Sequence, residues 1–262
     1  MSEYGKGAPL SYARYLKVHE LIELQQCLSQ PPHPDELLFI VIHQAYELWF
    51  KLILHSLECC CEALDRDQTR VAVEALGRII EIEKLLVQQI HILETMAPSS
   101  FLQFRDRLNP ASGFQSFQFR EIEALTGTTQ PAHLEALQDD PIASRRLERR
   151  MEQKGLWRSF SEHLQRRGLS FPAEDPAARR RTLRRLYEER DSFDELYRLA
   201  EALIGFDEQF QLWRYHHIRM VERMIGFKRG TGGSEGVGYL AQTLFHKCFP
   251  ELWEVRTHLG SE

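Results

Sequence analysis

Apolar residues along this chain recur at steps of three and four rather than alternating, so the pattern predicts helices and no sheet. After the Pro31-Pro32 break, a segment reaching about Leu64 places Leu38, Val41, Ala45, Leu48, Leu52 and Ser56 at helical steps. From Leu37 to Leu54 it is apolar nearly all round, which predicts a central helix with neighbours on several sides. A second helix is predicted from about Gln68 to Met96, striped by Leu76, Ile79, Ile80, Leu86, Ile90 and Leu93 and ended by Pro98. The last long helix is predicted from about Ser192 to Ile225. Its inward stripe runs through Phe193, Leu196, Ala200, Leu203, Phe210, Trp213, Met220, Val221 and Met224. Asn109-Pro110-Ala111-Ser112-Gly113 has turn chemistry, and a glycine-rich loop from Lys228 to Gly236 precedes short terminal helices. The fold class read from this pattern is all-α.

Between Thr126 and Arg190 the texture changes. Arg145, Arg146, Arg149 and Arg150 crowd together, then Arg179, Arg180, Arg181, Arg184 and Arg185, while Leu147, Trp157, Phe160, Leu164, Leu183 and Tyr187 keep a sparse helical spacing. The segment 126–190 reads as a charged peripheral helical insertion within a single domain spanning 1–262. Acidic residues interleave with the arginines, as on a solvated face. Over all 262 residues, 33 Lys and Arg stand against 38 Asp and Glu, a net charge of −5, which argues against nucleic acid as the partner. The hydrophobic fraction of 43% is enough for a real core. The five cysteines form no CxxC pair, and Cys59, Cys60 and Cys61 are consecutive, which suits a reduced intracellular chain. The start of the chain lacks an apolar leader, and the run Leu37–Ile42 is too short to span a bilayer, so a cytoplasmic protein without a membrane segment is expected.

Within the last long helix, His217 falls on the inward stripe, four residues from Trp213 and seven from both Phe210 and Met224. His216 is turned about 100° away by helix geometry. An inward imidazole is either a hydrogen-bonded core residue or a metal or haem ligand, and one helical histidine is sufficient as a haem axial ligand. His43 lies in the most apolar helix, four residues after Phe39, and reads either as a satisfied core histidine or as a neutral imidazole in a dry pocket. No cysteine or carboxylate cluster accompanies either histidine, which does not resemble a zinc site. Arg105 sits between hydrophobic anchors just before the Asn109–Gly113 turn. It suits an ion pair with Asp106 or a bidentate clamp on a ligand carboxylate. Gly230-Thr231-Gly232-Gly233 can turn backbone N–H groups toward an anionic or zwitterionic ligand, with a hydroxyl from Thr231.

Taken together, these places resemble the tryptophan 2,3-dioxygenase family. The resemblance is carried by Leu10-Ser11-Tyr12-Ala13-Arg14-Tyr15-Leu16, by the block from Leu38 through His43 to Lys51, by Phe104-Arg105-Asp106 with Pro110 to Ser116, and by Trp213 through His217 to Ser234. It runs from about Tyr12 to Leu259 and is weakest in the charged middle. The resemblance implies an oxygenase carrying haem b that inserts O2 into the indole C2–C3 bond of L-tryptophan to give N-formylkynurenine, the first step of the kynurenine pathway. It implies a homotetramer with exchange of N-terminal segments. By position it makes His217 the axial ligand of the haem iron and His43 the distal histidine facing the indole N–H. Phe39 would pack on the substrate ring, Arg105 would pair with its carboxylate, Thr231 would bond the zwitterion, and Ser112 would lie near the haem edge. Tyr12, Tyr15 and Leu16 would complete the pocket from a neighbouring subunit.

Two positions depart from the family pattern. Phe101 stands in the pocket where some bacterial members have Tyr, and Glu235 stands where a second Ser commonly follows the glycines. Relatives that insert one oxygen into indole or tryptophan derivatives share this pocket, and a non-catalytic haem or tryptophan sensor is the reading from outside enzyme chemistry.

Overall fold

A computed structural model describes residues 10–228, 230, 240–241 and 243–260. Among them the regular secondary structure is all helical, with no strand. Three long helices form its frame: α3 (Pro34–Asp65), α4 (Thr69–Leu93) and α11 (Asp194–Ile225). Two short helices, α1 (Tyr12–Leu16) and α2 (Val18–Leu21), precede them. Between α4 and α11 come α5 (Pro98–Phe104), α6 (Phe117–Leu125), α7 (Ala132–Glu135), α8 (Pro141–Met151), α9 (Leu156–Arg166) and α10 (Pro176–Glu188). A last helix, α12 (Pro250–Glu254), follows α11.

The long helices begin and end where local chemistry directs. At α3, the His33 side chain accepts from the Asp35 amide, Pro34 takes the first turn, and Asp35 and Glu36 meet the positive end of the helix dipole. Glu36 is buried and accepts from the Leu28 and Ser29 amides at 2.7 and 3.0 Å, tying the incoming strand of chain to the helix start. Helix α11 stops at Gly226, whose φ of 58° is costly for a residue with a Cβ. Along α11, Gly205 permits close approach to α4, since a Cβ there would lie 3.0 Å from Ile80 Cδ1.

Helix α4 lies between α3 and α11 and packs extensively on both. Leu57, Leu64, Leu76, Ile79, Leu86, Ile90, Leu199, Leu203 and Phe206 from these three helices are all buried in one core. That core also takes Leu156, Phe160 and Leu164 from α9 and Leu183 and Leu186 from α10, whereas Leu137, Ala143 and Leu147 form a smaller cluster under α8. Several arginines of the charged middle are engaged in ion pairs, among them Arg146 with Glu121, Arg150 with Glu58, Arg179 with Glu251, and Arg184 with Glu188. By length and apolarity alone α3 could cross a bilayer. Here its faces meet α4, α6 and α9 and line a cavity.

Candidate functional site

Where α3, α5, α6 and α11 converge they enclose a cavity of about 320 Å³, within the range of small-molecule sites. His43 and Phe39 reach it from α3, Phe101 from α5, Arg105 and Ser112 from the turns that follow, and His217 from α11. Residues spread over most of the sequence are thus gathered at one place.

His217 stacks on Trp213, one helical turn earlier, with ring centroids 5.4 Å apart and planes 16° from parallel. Removal from water lowers its pKa to about 4, and the nearby His43 and Arg120 push in the same direction. At neutral pH the imidazole is therefore uncharged, the form that ligates a metal. Among the described residues its ring makes no hydrogen bond, so the nitrogens are not committed to the protein. His216 faces elsewhere and packs edge-on against His91 with centroids 5.4 Å apart. Helix periodicity had separated the two rings in this way.

His43 is fixed in one tautomer. Its Nδ1 lies 2.7 Å from the Phe39 carbonyl oxygen, which can only accept, so Nδ1 carries the proton and Nε2 keeps its lone pair. The accessible face of the ring opens to the cavity, yet the surrounding protein lowers its pKa, chiefly through burial. The Phe39 carbonyl and Glu47 oppose that shift without reversing it. The site holds a neutral acceptor facing the cavity.

An aromatic wall completes this side. The Phe39 and His43 ring centroids are 4.0 Å apart, Phe101 stacks on Phe39 at 5.6 Å, and Phe104 meets both phenylalanines edge-on. Arg105 follows Phe104 directly, so the buried phenyl ring anchors the turn from which the half-buried guanidinium reaches the cavity wall. Ser112 caps the next turn, its hydroxyl accepting from Phe114 N at 3.2 Å while its own amide donates to Gln115 at 3.1 Å. That reciprocal cap holds Ser112 at the edge of the cavity.

Tyr12, Tyr15 and Leu16 do not line this chain's cavity. They lie on α1 with 77%, 70% and 44% of their surface exposed, an unusual condition for two aromatics and a leucine on one short helix. Thr231 and Glu235 fall outside the described residues, while the neighbouring Gly230 lines the cavity.

Several cavity residues escaped the sequence reading. Glu47 accepts from Ser116 at 2.6 Å and Gln118 at 2.8 Å, joining α3 to the start of α6. Glu123 lies between two buried arginines, accepting from Arg120 at 2.6 Å and Arg214 at 2.9 Å. His133 adjoins this group and is held neutral, its pKa lowered to about 4 by burial and by Arg120. A usable signal was present in one case: Arg214 precedes His217 by three residues, so the two share a helix face. Glu123 and Arg120 carried no such signal, because nothing in the local pattern of residues 117–125 marks their charges as interior.

Among the described residues no cluster of three His, Cys, Asp or Glu side chains could hold a bare metal ion. One neutral, uncommitted imidazole in an apolar cavity instead suits an iron whose remaining donors come from a planar tetrapyrrole.

Comparison with known proteins bears directly on this arrangement. A family model described as Tryptophan 2,3-dioxygenase matches residues 2–170 and 165–259. A tryptophan 2,3-dioxygenase of Herpetosiphon aurantiacus is 45% identical over 261 residues, covering 95% of this chain and 98% of the relative. The enzyme of that name from Xanthomonas campestris pv. campestris is 42% identical over 262 residues, covering 96% and 88% respectively. That from Myxococcus xanthus is 40% identical over 260 residues, covering 95% and 89%.

Proposed function

The chain belongs to the tryptophan 2,3-dioxygenase family, and on that footing we propose that it is an oxidoreductase adding both atoms of O2 across the indole C2–C3 bond of L-tryptophan, yielding N-formylkynurenine. The observation that carries this reading is the cavity itself. Two neutral histidines from α3 and α11, an aromatic wall and an arginine meet in one space. A zwitterion with an indole side chain needs that combination of apolar slot and cationic anchor.

The residues present fit haem b. His217 would be its axial ligand, supported by its neutral ring, its stacking on Trp213 and the lack of another hydrogen-bond partner among the described residues. When bound, the haem iron supplies the activation of O2 that no side chain can provide. The protein's own contribution is position, polarity and exclusion of water. His43 Nε2 accepts the indole N–H and so fixes the orientation of the ring in the cavity. Because Nδ1–H is already held by the Phe39 carbonyl, this contact adds no charge to the cavity. Phe39 and Phe101 pack against the indole, and Arg105 takes the amino-acid carboxylate. In this reading Thr231 bonds the zwitterionic end, and the Ser112 cap keeps in place the turn at the cavity edge, near which the haem would sit.

The exposed Tyr12, Tyr15 and Leu16 support a role in a neighbouring subunit's pocket, within a homotetramer that exchanges N-terminal segments. Five unpaired cysteines suit a cytoplasmic setting. Turnover of L-tryptophan under isotopically labelled O2, followed by mass analysis of the product, tests the reaction. Two labelled oxygen atoms in each N-formylkynurenine are expected. A single labelled oxygen would replace the dioxygenase reading with a mono-oxygenase one.

A further inference from the structure

Arg120 and Arg214 have Glu123 as their one ion-paired carboxylate on the α6 and α11 side of the cavity, while buried Glu83, the other acid that feels Arg214, is pushed toward its protonated form by burial. Arg120, Glu123 and Arg214 all line the cavity and are 7%, 4% and 4% exposed. Both Glu123 oxygens are occupied, one by Arg120 Nη1 at 2.6 Å and the other by Arg214 Nη2 at 2.9 Å. Two guanidinium cations therefore share one carboxylate. His133, 3.3 Å from Arg120 Nη1, is neutral and supplies no counter-charge. Asp207 lies two helical turns before Arg214, about 10 Å along the axis. Its carboxylate is taken by neutral donors, the Phe249 amide at 3.1 Å and the Trp253 indole at 2.9 Å. Glu47, the other carboxylate on the cavity wall, is likewise held by Ser116 and Gln118.

The excess charge has a direction. Arg120 donates Nε to the Phe114 carbonyl at 3.2 Å and Nη1 to Glu123, while its Nη2 has no partner among the described residues. The rings of Phe114 and Phe119 pack against the guanidinium at 4.6 and 5.1 Å and keep it from swinging away. A buried cation whose only carboxylate is shared with a second cation is costly unless an anion joins it.

We propose that Arg120, braced by Glu123 and Arg214, is the carboxylate-binding site for the tetrapyrrole held through His217, receiving one of its propionate groups. The assignment rests on the haem reading above. It divides the arginines of the cavity: Arg105 serves the amino acid, and Arg120 serves the cofactor. A charge-assisted guanidinium–carboxylate contact of this kind is worth about 10- to 100-fold in affinity. Bound there, a propionate would also help to fix the orientation of the tetrapyrrole in the cavity.

The test is reconstitution of the full-length chain, after extraction of its haem, with haem b and separately with haem b dimethyl ester. Binding is followed by the Soret band and by quenching of intrinsic tryptophan fluorescence. The wild-type chain should bind the free acid about 10-fold or more tightly than the ester. Arg120→Leu should lose that preference by weakening binding of the acid alone, and Arg120→Lys should keep part of it. Equal wild-type affinity for acid and ester would overturn the proposal without needing any variant, and would leave the haem reading standing. Equal weakening of both ligands by Arg120→Leu would also overturn it, because the residue would then be structural. If the wild-type chain takes up neither ligand, the haem reading fails and this proposal fails with it.

Discussion

Replacing Glu123 by Gln keeps the shape of the side chain and removes its charge, leaving Arg120 and Arg214 buried without their shared partner. The Glu123 side chain is 5% exposed, and those of Arg120 and Arg214 are 9% and 5% exposed. Water therefore cannot take over as counter-ligand. Removing one partner of a buried ion pair costs about 3–5 kcal/mol. In a chain of this size that corresponds to a fall in Tm of about 6–20 °C. The Arg184–Glu188 pair provides a control. Its separation is 2.7 Å, close to the 2.6 Å of Arg120–Glu123, but its side chains are 37% and 38% exposed. Glu188→Gln should cost no more than about 0.5 kcal/mol. Urea denaturation of the three proteins at pH 7, at matched haem content, reads the difference as a shift in midpoint. A Glu123→Gln protein within about 1 kcal/mol of wild type would mean that the cluster is not sealed from water, and the reasoning from burial would be refuted.

Three further outcomes follow from the site. Arg105→Leu should raise KM for tryptophan by about 10- to 100-fold with a smaller effect on kcat, as expected for loss of a charge-assisted bond to the substrate; unchanged tryptophan affinity would remove the clamp. His43→Ala should lower turnover while the purified protein keeps its full haem absorbance, and activity of the wild type should fall toward acid as His43 protonates below the usual histidine value of 6.5, so a rate that rises on acidification would contradict the neutral-acceptor role. His133 is neutral in the fold, with a pKa of about 4 against 6.5 in a free side chain, so the unfolded chain binds the extra proton between those values. Its contribution is complete above pH 6.5 and declines as the pH falls toward 4, by up to about 3 kcal/mol. A His133→Asn variant should show a shallower loss of stability over that window by urea titration, and an unchanged slope would show that another group is responsible.

The parts of the molecule legible in the sequence are those specified by local chemistry. The stripes predicted from about Pro32 to Leu64, Gln68 to Met96 and Ser192 to Ile225 correspond to Pro34–Asp65, Thr69–Leu93 and Asp194–Ile225. Periodicity also separated His217 from His216, because 100° of rotation decides which ring meets the cavity. The seven-residue α5 was not resolved, since two turns carry too little periodicity to distinguish them from a loop. The Glu123–Arg214 pair was equally hidden, because its partners are 91 residues apart and each looks like a surface charge in its own segment. Only packing of α6 against α3 and α11 shows that these charges are interior. The clustering of Arg105 with His43 came from resemblance to a family, because neither residue's local pattern points to the other.

The central claim is that His217 holds the haem from one side of this cavity, and a cavity variant tests it most directly. His217→Gly should purify without a Soret band, take up added haem only when free imidazole is supplied to replace the missing ring, and release the haem when the imidazole is dialysed away. A His217→Gly protein that retains a full haem complement and an unchanged spectrum without imidazole would place the ligand elsewhere and contradict the account.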